Sequence, residues 1–355
     1  MPKKRKLIIC PRCRRTVSAE EYREHFLGHR GKKLFHLTSP TIEETEEKAV
    51  HSNLKNETPD SGDASKSFTS MEPGLSILSE SQIREKFESA LQDVGASYAS
   101  LTVDVNEPEF IKVFIDENRN LILKYSPLLL KTVSEEGVSA LLLHEACHVK
   151  TLPNSLVRIP EIGGAQGKSF VKDNLSSYDE FLAHVEFVSR FSQDPRYGAM
   201  KDQKRSLFPN FEIIIESTRV SVSNLQEKRL LTKDTEWKVR EKINSIVRDA
   251  LFFYEAKDPS FIEWCEKQSL QGLAEFGKWI HEDFEHIHHL GLSLEESHKK
   301  VIVSGTLGMS VNPYRLLYGK ISFANTAKKL HEELVQKGRD VELVQLWEKR
   351  RVSVL

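Results

Sequence analysis

Apolar residues recur every three or four positions from Ser79 to Val94, and this spacing predicts an amphipathic helix. Ser79 or Ser81 can cap the start of the helix, and Gly95 is placed to end it. The positions expected to face a core are Ile83, Phe87, Ala90, Leu91 and Val94.

Three β-rich segments follow at residues 101–105, 110–116 and 120–125. The polar turn at 117–119 predicts that the last two segments pair as a hairpin. We therefore expect a small antiparallel sheet.

The pattern then returns to helical spacing. A helix is predicted over Ser134–Val149, and a Pro- and Gly-containing loop leads to a second helix at about 174–191. Gly163–Gly167 is interpreted as a mobile rim of that loop. Further helices are predicted near 212–228, 234–256, 259–290, 294–303 and 325–350. This order of elements predicts an α+β fold.

Composition divides the chain of 355 residues into four regions. Residues 1–36 hold eleven Lys or Arg against three acidic residues, although the net charge of the whole chain is −1. Residues 37–75 are rich in Ser, Thr, Glu and Asp and predict a flexible linker. We expect a folded core over 76–200 and a helical C-terminal region, 201–355, packed on that core.

The four cysteines do not form a disulfide framework, since Cys10 and Cys13 are close together while Cys147 and Cys265 are isolated. This usage suits a reducing compartment, and the isolated pair is interpreted as small core residues. The basic N-terminus is followed by no apolar stretch of signal-peptide length, and no apolar run reaches membrane-spanning length. A soluble, intracellular protein is expected.

His144, Glu145 and His148 form an HExxH motif in the predicted helix after the strands. The spacing places both imidazoles on one helical face, where they can reach a single ion. Glu145 can then take a proton from water at the ion and pass it to a leaving amine. The alternative is that both histidines are hydrogen-bonded residues of an ordinary helix.

A catalytic zinc site needs a third protein ligand and an open fourth position. Glu180 is the leading candidate because it lies on the next predicted helix, beyond a loop able to reverse the chain. His184 shares its face and would orient the ligand or itself be the ligand. Ser177-x-x-Glu180 also matches a capping box, which leaves a structural role open. The remaining candidate ligands are Asp179 and Glu186.

The order of helix, three strands, HExxH helix, loop and Glu-bearing helix resembles the minimal core of the gluzincin metallopeptidases over about residues 79–192. Glu180-Phe181-Leu182-Ala183-His184 is similar to the Glu-x-x-Ala-Asp segment of one gluzincin branch, with His in place of the expected Asp. The resemblance implies a substrate strand paired with the sheet edge, at the last strand or its neighbour. It also implies a general base, Glu145, and three zinc ligands, His144, His148 and Glu180.

A second metal motif lies in the basic N-terminal region, residues 1–36. Cys10-x-x-Cys13 and His25-x-x-x-His29 provide two thiolates and two imidazoles for a structural zinc ion, and their spacing resembles that of two-Cys two-His zinc fingers. The alternative is unpaired Cys and His in a basic tail. Two zinc ions per chain are therefore expected, one structural and one catalytic.

This N-terminal region could bind DNA or RNA through phosphate contacts, and protein binding is the other interpretation. The side chains placed for phosphate contact are Arg12, Arg14, Arg15, Arg23, Lys32 and Lys33.

Near the C-terminal end of a further predicted helix, His281–His289 is dense in metal-capable groups and is interpreted as a solvated helix end.

The sequence thus predicts a zinc-dependent metallopeptidase with a protein or peptide substrate, directed by its finger to nucleic acid or to a protein partner. The alternative is a non-catalytic zinc-finger regulator that binds nucleic acid or protein and whose HExxH core is structural or degenerate.

Overall fold

The computed structural model describes residues 78–105, 111–116, 118–126, 133–151, 164–325 and 327–354, together with three strands nearer the N-terminus. Two units are distinguished, Met1–Ser76 with Pro108–Phe110 and Ile77–Glu107 with Ile111–Leu355. Predicted regions 76–200 and 201–355 thus fall almost entirely in one unit.

In the first unit, β1 (Leu7–Ile9) pairs antiparallel with both β2 (Thr16–Ser18) and β3 (Ile42–Glu43). β3 falls in the range predicted as a linker, and the rest of residues 37–75 lies outside the described part of the chain.

The second unit begins with α1 (Glu80–Val94), where the structure confirms the predicted helix. Ser79 is its N-cap in a capping box with Gln82, and Gly95 ends it with φ 68°, a left-handed conformation that favours glycine. The buried residues of α1 are the five predicted ones, Ile83, Phe87, Ala90, Leu91 and Val94.

Strands β4 (Ser100–Asp104), β5 (Ile111–Ile115) and β6 (Asn120–Tyr125) form a sheet in the order β4-β6-β5. The predicted hairpin is confirmed, since β5 and β6 are antiparallel. The antiparallel prediction is wrong for β4, which runs parallel to β6. β6 is therefore the central strand, with Leu121 and Leu123 buried, and the edges are β4 and β5.

Two helices carry the candidate ligands. α2 (Glu135–Thr151) begins after Ser134, whose hydroxyl accepts the Gly137 N–H at 3.1 Å. α3 (Gly164–Phe191) begins earlier than predicted, so Gly164 and Gly167 are helical and not part of a loop. The rest of that loop, residues 152–163, lies outside the described residues.

The remainder is helical as predicted, but with more breaks. The helix predicted over 259–290 is two helices separated near Ser269, which has φ 57°, and the one predicted over 325–350 is interrupted near Gly338. The helices are α4 (Pro195–Arg205), α5 (Phe208–Glu227), α6 (Lys233–Glu255), α7 (Ser260–Lys267), α8 (Gln271–His289), α9 (Leu294–Gly308), α10 (Pro313–Leu316), α11 (Ala327–Gln336) and α12 (Val341–Val354).

Helix α3 joins two hydrophobic clusters. Its C-terminal part, including Ala183 and Phe187, packs with α1, α2 and the sheet. Its earlier residues, including Tyr178 and Phe181, pack with the C-terminal helices. Because both faces of α3 are buried, the position of its polar side chains is fixed from two sides.

The crossing of α3 and α9 is close. The Asn174 amide donates to the Val301 carbonyl at 3.1 Å, and a Cβ added to Gly305 would lie 2.8 Å from that amide nitrogen. Glycine thus permits the approach of α9 to α3. No helix among the described residues is both long and apolar enough to cross a membrane.

Candidate metal centre

His144 and His148 lie one turn apart on α2, as the HExxH spacing predicts. Their ring centroids are 4.8 Å apart at an interplanar angle of 80°. His144 is only 5% exposed. The apolar residues around the motif, Leu142, Leu143, Ala146, Cys147 and Val149, are all buried.

Helix α3 brings Glu180 to these two imidazoles. Glu180 Oε1 lies 3.5 Å from His144 Nε2, and Oε2 lies 3.4 Å from His148 Nε2. His184 Nε2 is 3.0 Å from Glu180 Oε1, and the His184 ring centroid is 5.1 Å from that of His144. The four predicted residues therefore converge from two helices.

The capping interpretation of Ser177 is wrong. Ser177 lies inside α3, far from its start at Gly164, and its hydroxyl donates to the Asp173 carbonyl at 2.9 Å. The other α3 carboxylates have different partners, since Asp179 lies 2.9 Å from His298 and Glu186 accepts from Arg190 at 2.9 Å. Glu180 is the α3 carboxylate that faces the HExxH motif.

Several ring nitrogens in the cluster are buried without a hydrogen bond from the described residues. They are Nε2 of His144 and both nitrogens of His184, which is fully buried. The 3.0 Å approach of His184 to Glu180 lacks hydrogen-bond geometry. Because unpaired buried imidazole nitrogens are costly, a cation bound among them would stabilise the arrangement.

The local electrostatics place two neutral imidazoles beside one anion. Burial lowers the pKa of His144, and it lowers the pKa of His184 to about 3, so both imidazoles are neutral near pH 7. Burial raises the pKa of Glu180, but Lys204 and His144 outweigh burial and bring this pKa well below its ordinary value. For His148, burial lowers the pKa, but Glu180, Glu145 and Asp179 together outweigh burial, so this pKa lies above its ordinary value.

The donor set suits zinc. Within the described residues, two groups have ligand atoms within 4.8 Å of one another, His144-Glu145-His148 and His144-Glu180-His184. Imidazole nitrogens and a carboxylate are common zinc ligands. The two groups share His144, and the second contains both Glu180 and His184, so distance alone does not decide which of these two is a ligand.

Glu145 points to the sheet edge. Its Oε2 accepts the backbone N–H of Val113 in edge strand β5 at 3.0 Å, and its Oε1 lies 3.8 Å from His144 Nδ1. β5, the neighbour of the last strand, is an edge of the sheet, as one of the two alternatives predicted, whereas the last strand, β6, lies at the centre. The hydrogen bond fixes one carboxylate oxygen and connects the edge to the motif.

Sequence reasoning missed Lys204 on α4. Lys204 is 8% exposed, and its Nζ lies 3.1 Å from Glu180 Oε1 and 3.5 Å from Asp249 Oδ1 on α6. Burial lowers the pKa of Lys204, but Glu180 and Asp249 raise it by more, so the ammonium is charged. Nothing local in the sequence marks this lysine, because its partners come from α3 and α6.

The predicted solvated helix end, His281–His289, is partly buried. His281 is buried and lies 3.0 Å from Glu255, and Asp283 is fully buried, so the interpretation of His281–His289 as a solvated end is wrong for these two residues. His288 and His289 are exposed.

Cys147 and Cys265 are both buried and free, and burial raises the pKa of each thiol.

Apart from β1 and β2, the predicted finger lies outside the described residues. This applies to its ligands and to its phosphate contacts: Cys10, Cys13, His25, His29, Arg12, Arg14, Arg15, Arg23, Lys32 and Lys33.

Comparison with known proteins adds no relative. No protein-family model matches the chain, and neither the curated proteins nor the solved structures searched contain a match. The functional interpretation therefore depends on the residues and their geometry.

Proposed function

We propose that this chain is a zinc-dependent metallopeptidase whose catalytic residues lie on α2 and α3. The observation that carries the proposal is the approach of His144 Nε2 and His148 Nε2 to opposite oxygens of Glu180, at 3.5 and 3.4 Å. These three side chains would hold the ion. Zinc bound there would polarise a carbonyl and lower the pKa of a bound water.

Glu145 is the proposed general base. Because its Oε2 accepts the Val113 N–H, Oε1 on the His144 side is the atom that would take a proton from the attacking water and deliver it to the leaving amine. Strand β5 would orient an extended peptide beside this carboxylate through edge hydrogen bonds. The substrate class that fits is therefore a protein or peptide segment in extended conformation.

The basic N-terminal region is proposed to direct the enzyme. Its Cys2His2 spacing and eleven Lys or Arg support a structural zinc module that binds DNA or RNA, with a protein partner as the other candidate. A target bound to nucleic acid would then be concentrated near the catalytic residues.

One observation favours a second function. His184 Nε2 approaches the same oxygen of Glu180 that His144 approaches. If His184 were a fourth protein ligand, the site would be closed to water, as structural zinc sites are. The chain would then be a non-catalytic zinc-finger regulator with a structural core.

Glu145→Gln separates the two functions. We expect it to retain zinc and to lower hydrolysis of a quenched-fluorescent peptide library by about 10²- to 10⁴-fold, since only the proton acceptor is lost. Glu186→Gln is the matched control. It makes the same chemical change at an α3 carboxylate that pairs with Arg190 and is not a proposed catalytic residue. Cleavage by Glu145→Gln at the wild-type rate would remove Glu145 from the mechanism. Absence of cleavage by the wild-type chain would favour the regulator.

A further inference from the structure

Helix α4 places a buried cation against a proposed zinc ligand. Lys204 Nζ donates to Glu180 Oε1 at 3.1 Å, and Asp249 Oδ1 is 3.5 Å away on the other side. The lysine therefore contacts two carboxylates from two different helices.

The position of Lys204 is fixed by the flanking residues of α4. Arg205 Nη2 lies 2.8 Å from Asp258 Oδ2, and Lys201 Nζ lies 3.3 Å from the same oxygen. The Asp258 side chain is only 3% exposed. Because α4 is tied to this carboxylate before and after Lys204, the backbone that carries Lys204 is held in place.

Charge at this distance affects metal binding strongly. Two unit charges about 4 Å apart interact several times more strongly near a protein surface than in bulk water, and a divalent ion doubles the charge product. The Lys204 ammonium would thus oppose a divalent cation at Glu180, because it already contacts Glu180 Oε1. The Asp249 carboxylate acts in the other direction, since it draws the ammonium and adds negative charge.

We propose that Lys204 and Asp249 are positioning residues that set the zinc affinity of the centre with opposite signs. Lys204 weakens zinc binding through Glu180, and Asp249 strengthens it by partly neutralising the ammonium and adding negative charge. The pair would therefore leave the ion more exchangeable than a centre without Lys204. This inference rests on the proposed function, because it requires zinc at Glu180.

The test is a titration of the full-length chain with Zn²⁺ against a chromophoric chelator near neutral pH. His144→Ala defines which zinc belongs to the centre. We expect Lys204→Met to tighten that zinc by at least about tenfold and Asp249→Asn to weaken it by about tenfold. Lys204→Arg keeps the charge and is expected to bind within about threefold of wild type.

Opposite signs separate this role from a merely structural one. Lys204→Met and Asp249→Asn each leave a partly buried charge unpaired, so both should lower the thermal midpoint. If the two residues were only structural, both variants would change the zinc affinity in the same direction. Lys204→Gln serves if Lys204→Met does not fold. Loss of the centre's zinc in His144→Ala, together with unchanged or weaker binding in Lys204→Met or Lys204→Gln, would overturn the inference. Full retention of zinc in His144→Ala would instead overturn the proposed function.

Discussion

His184 Nε2 lies 3.0 Å from Glu180 Oε1, one turn away on the same helix. Both side chains face α2 and belong to one group able to hold a metal, His144-Glu180-His184, whereas the other group, His144-Glu145-His148, lies wholly on α2. An open site uses Glu180 as the third ligand with His184 beside it, whereas a closed site uses both. The difference decides whether water can reach the ion.

We expect Glu180→Ala to lose the ion of the centre and His184→Ala to keep it with about 10- to 100-fold weaker affinity. The reason is that Glu180 provides the anionic ligand while His184 orients it. Zinc content after desalting and chelator competition measure both effects. Loss of the ion in His184→Ala with retention in Glu180→Ala would show that the roles are exchanged.

Two independent zinc sites are predicted. Cys10→Ala should remove one zinc per chain by breaking the finger, and His144→Ala should remove the other. Metal analysis of each single variant and of the double variant checks this. A wild-type chain with one zinc, lost from either variant alone, would contradict independent sites.

Removal of residues 1–36 should separate targeting from catalysis. Hydrolysis of small peptides should remain, because the proposed catalytic residues lie in the second unit. Retention on immobilised DNA or RNA should fall and lose its dependence on salt, since eleven basic residues are removed. Unchanged, salt-sensitive retention would rule out the tether.

The Asp283 carboxylate is predicted to stabilise the helical C-terminal region, far in sequence from the HExxH motif. Its fully buried carboxylate accepts from Arg350 at 2.8 Å, from Trp347 at 2.8 Å and from Ser304 at 2.6 Å. Asp283→Ala should cost about 3–5 kcal/mol of unfolding free energy, because Arg350 loses its fully buried partner and keeps only the partly exposed Glu282. Urea unfolding measures the loss. Glu295→Ala, from an exposed pair with Lys299, is the control and should change stability by less than about 1 kcal/mol.

Asp258 predicts a pH dependence of stability. Burial raises its pKa, but hydrogen bonds from Ser260 and the cations Lys201 and Arg205 outweigh burial, so the folded-state pKa lies below the ordinary value. The carboxylate therefore stabilises the fold above its unfolded pKa of about 3.9, and this contribution is lost as the pH falls through the folded value. Asp258→Asn should destabilise the chain near neutral pH.

The matching measurement is the urea midpoint of both proteins across the acidic range. The difference between wild type and Asp258→Asn should shrink below about pH 4. A difference that stays constant down to about pH 3 would show that the charge of Asp258 contributes nothing.

Local elements could be predicted from the sequence because they depend on neighbours in the chain. Helix α1, with its Ser79 cap and Gly95 stop, follows from spacing and backbone preference. The pairing of His144 with His148 follows from helical geometry alone. The β5–β6 hairpin follows from a polar turn between two apolar segments.

Strand order and the surroundings of Glu180 were decided only by the tertiary structure. Alternating apolar residues mark β4 and β6 as strands, but they do not tell that the two run parallel with β6 at the centre. Ser177-x-x-Glu180 fits a helix start as well as a helix interior, and only the packing of α3 on two clusters extends the helix back to Gly164.

Lys204 gives the clearest contrast. The sequence by itself determined which residues could hold a metal, since His144, Glu145 and His148 are fixed to one another by a single helix. Lys204, Asp249 and Val113 reach the same centre from α4, α6 and β5. Such contacts depend on burial and charge summed over distant segments, so only the folded chain brings the cation to Glu180 and the edge strand to Glu145.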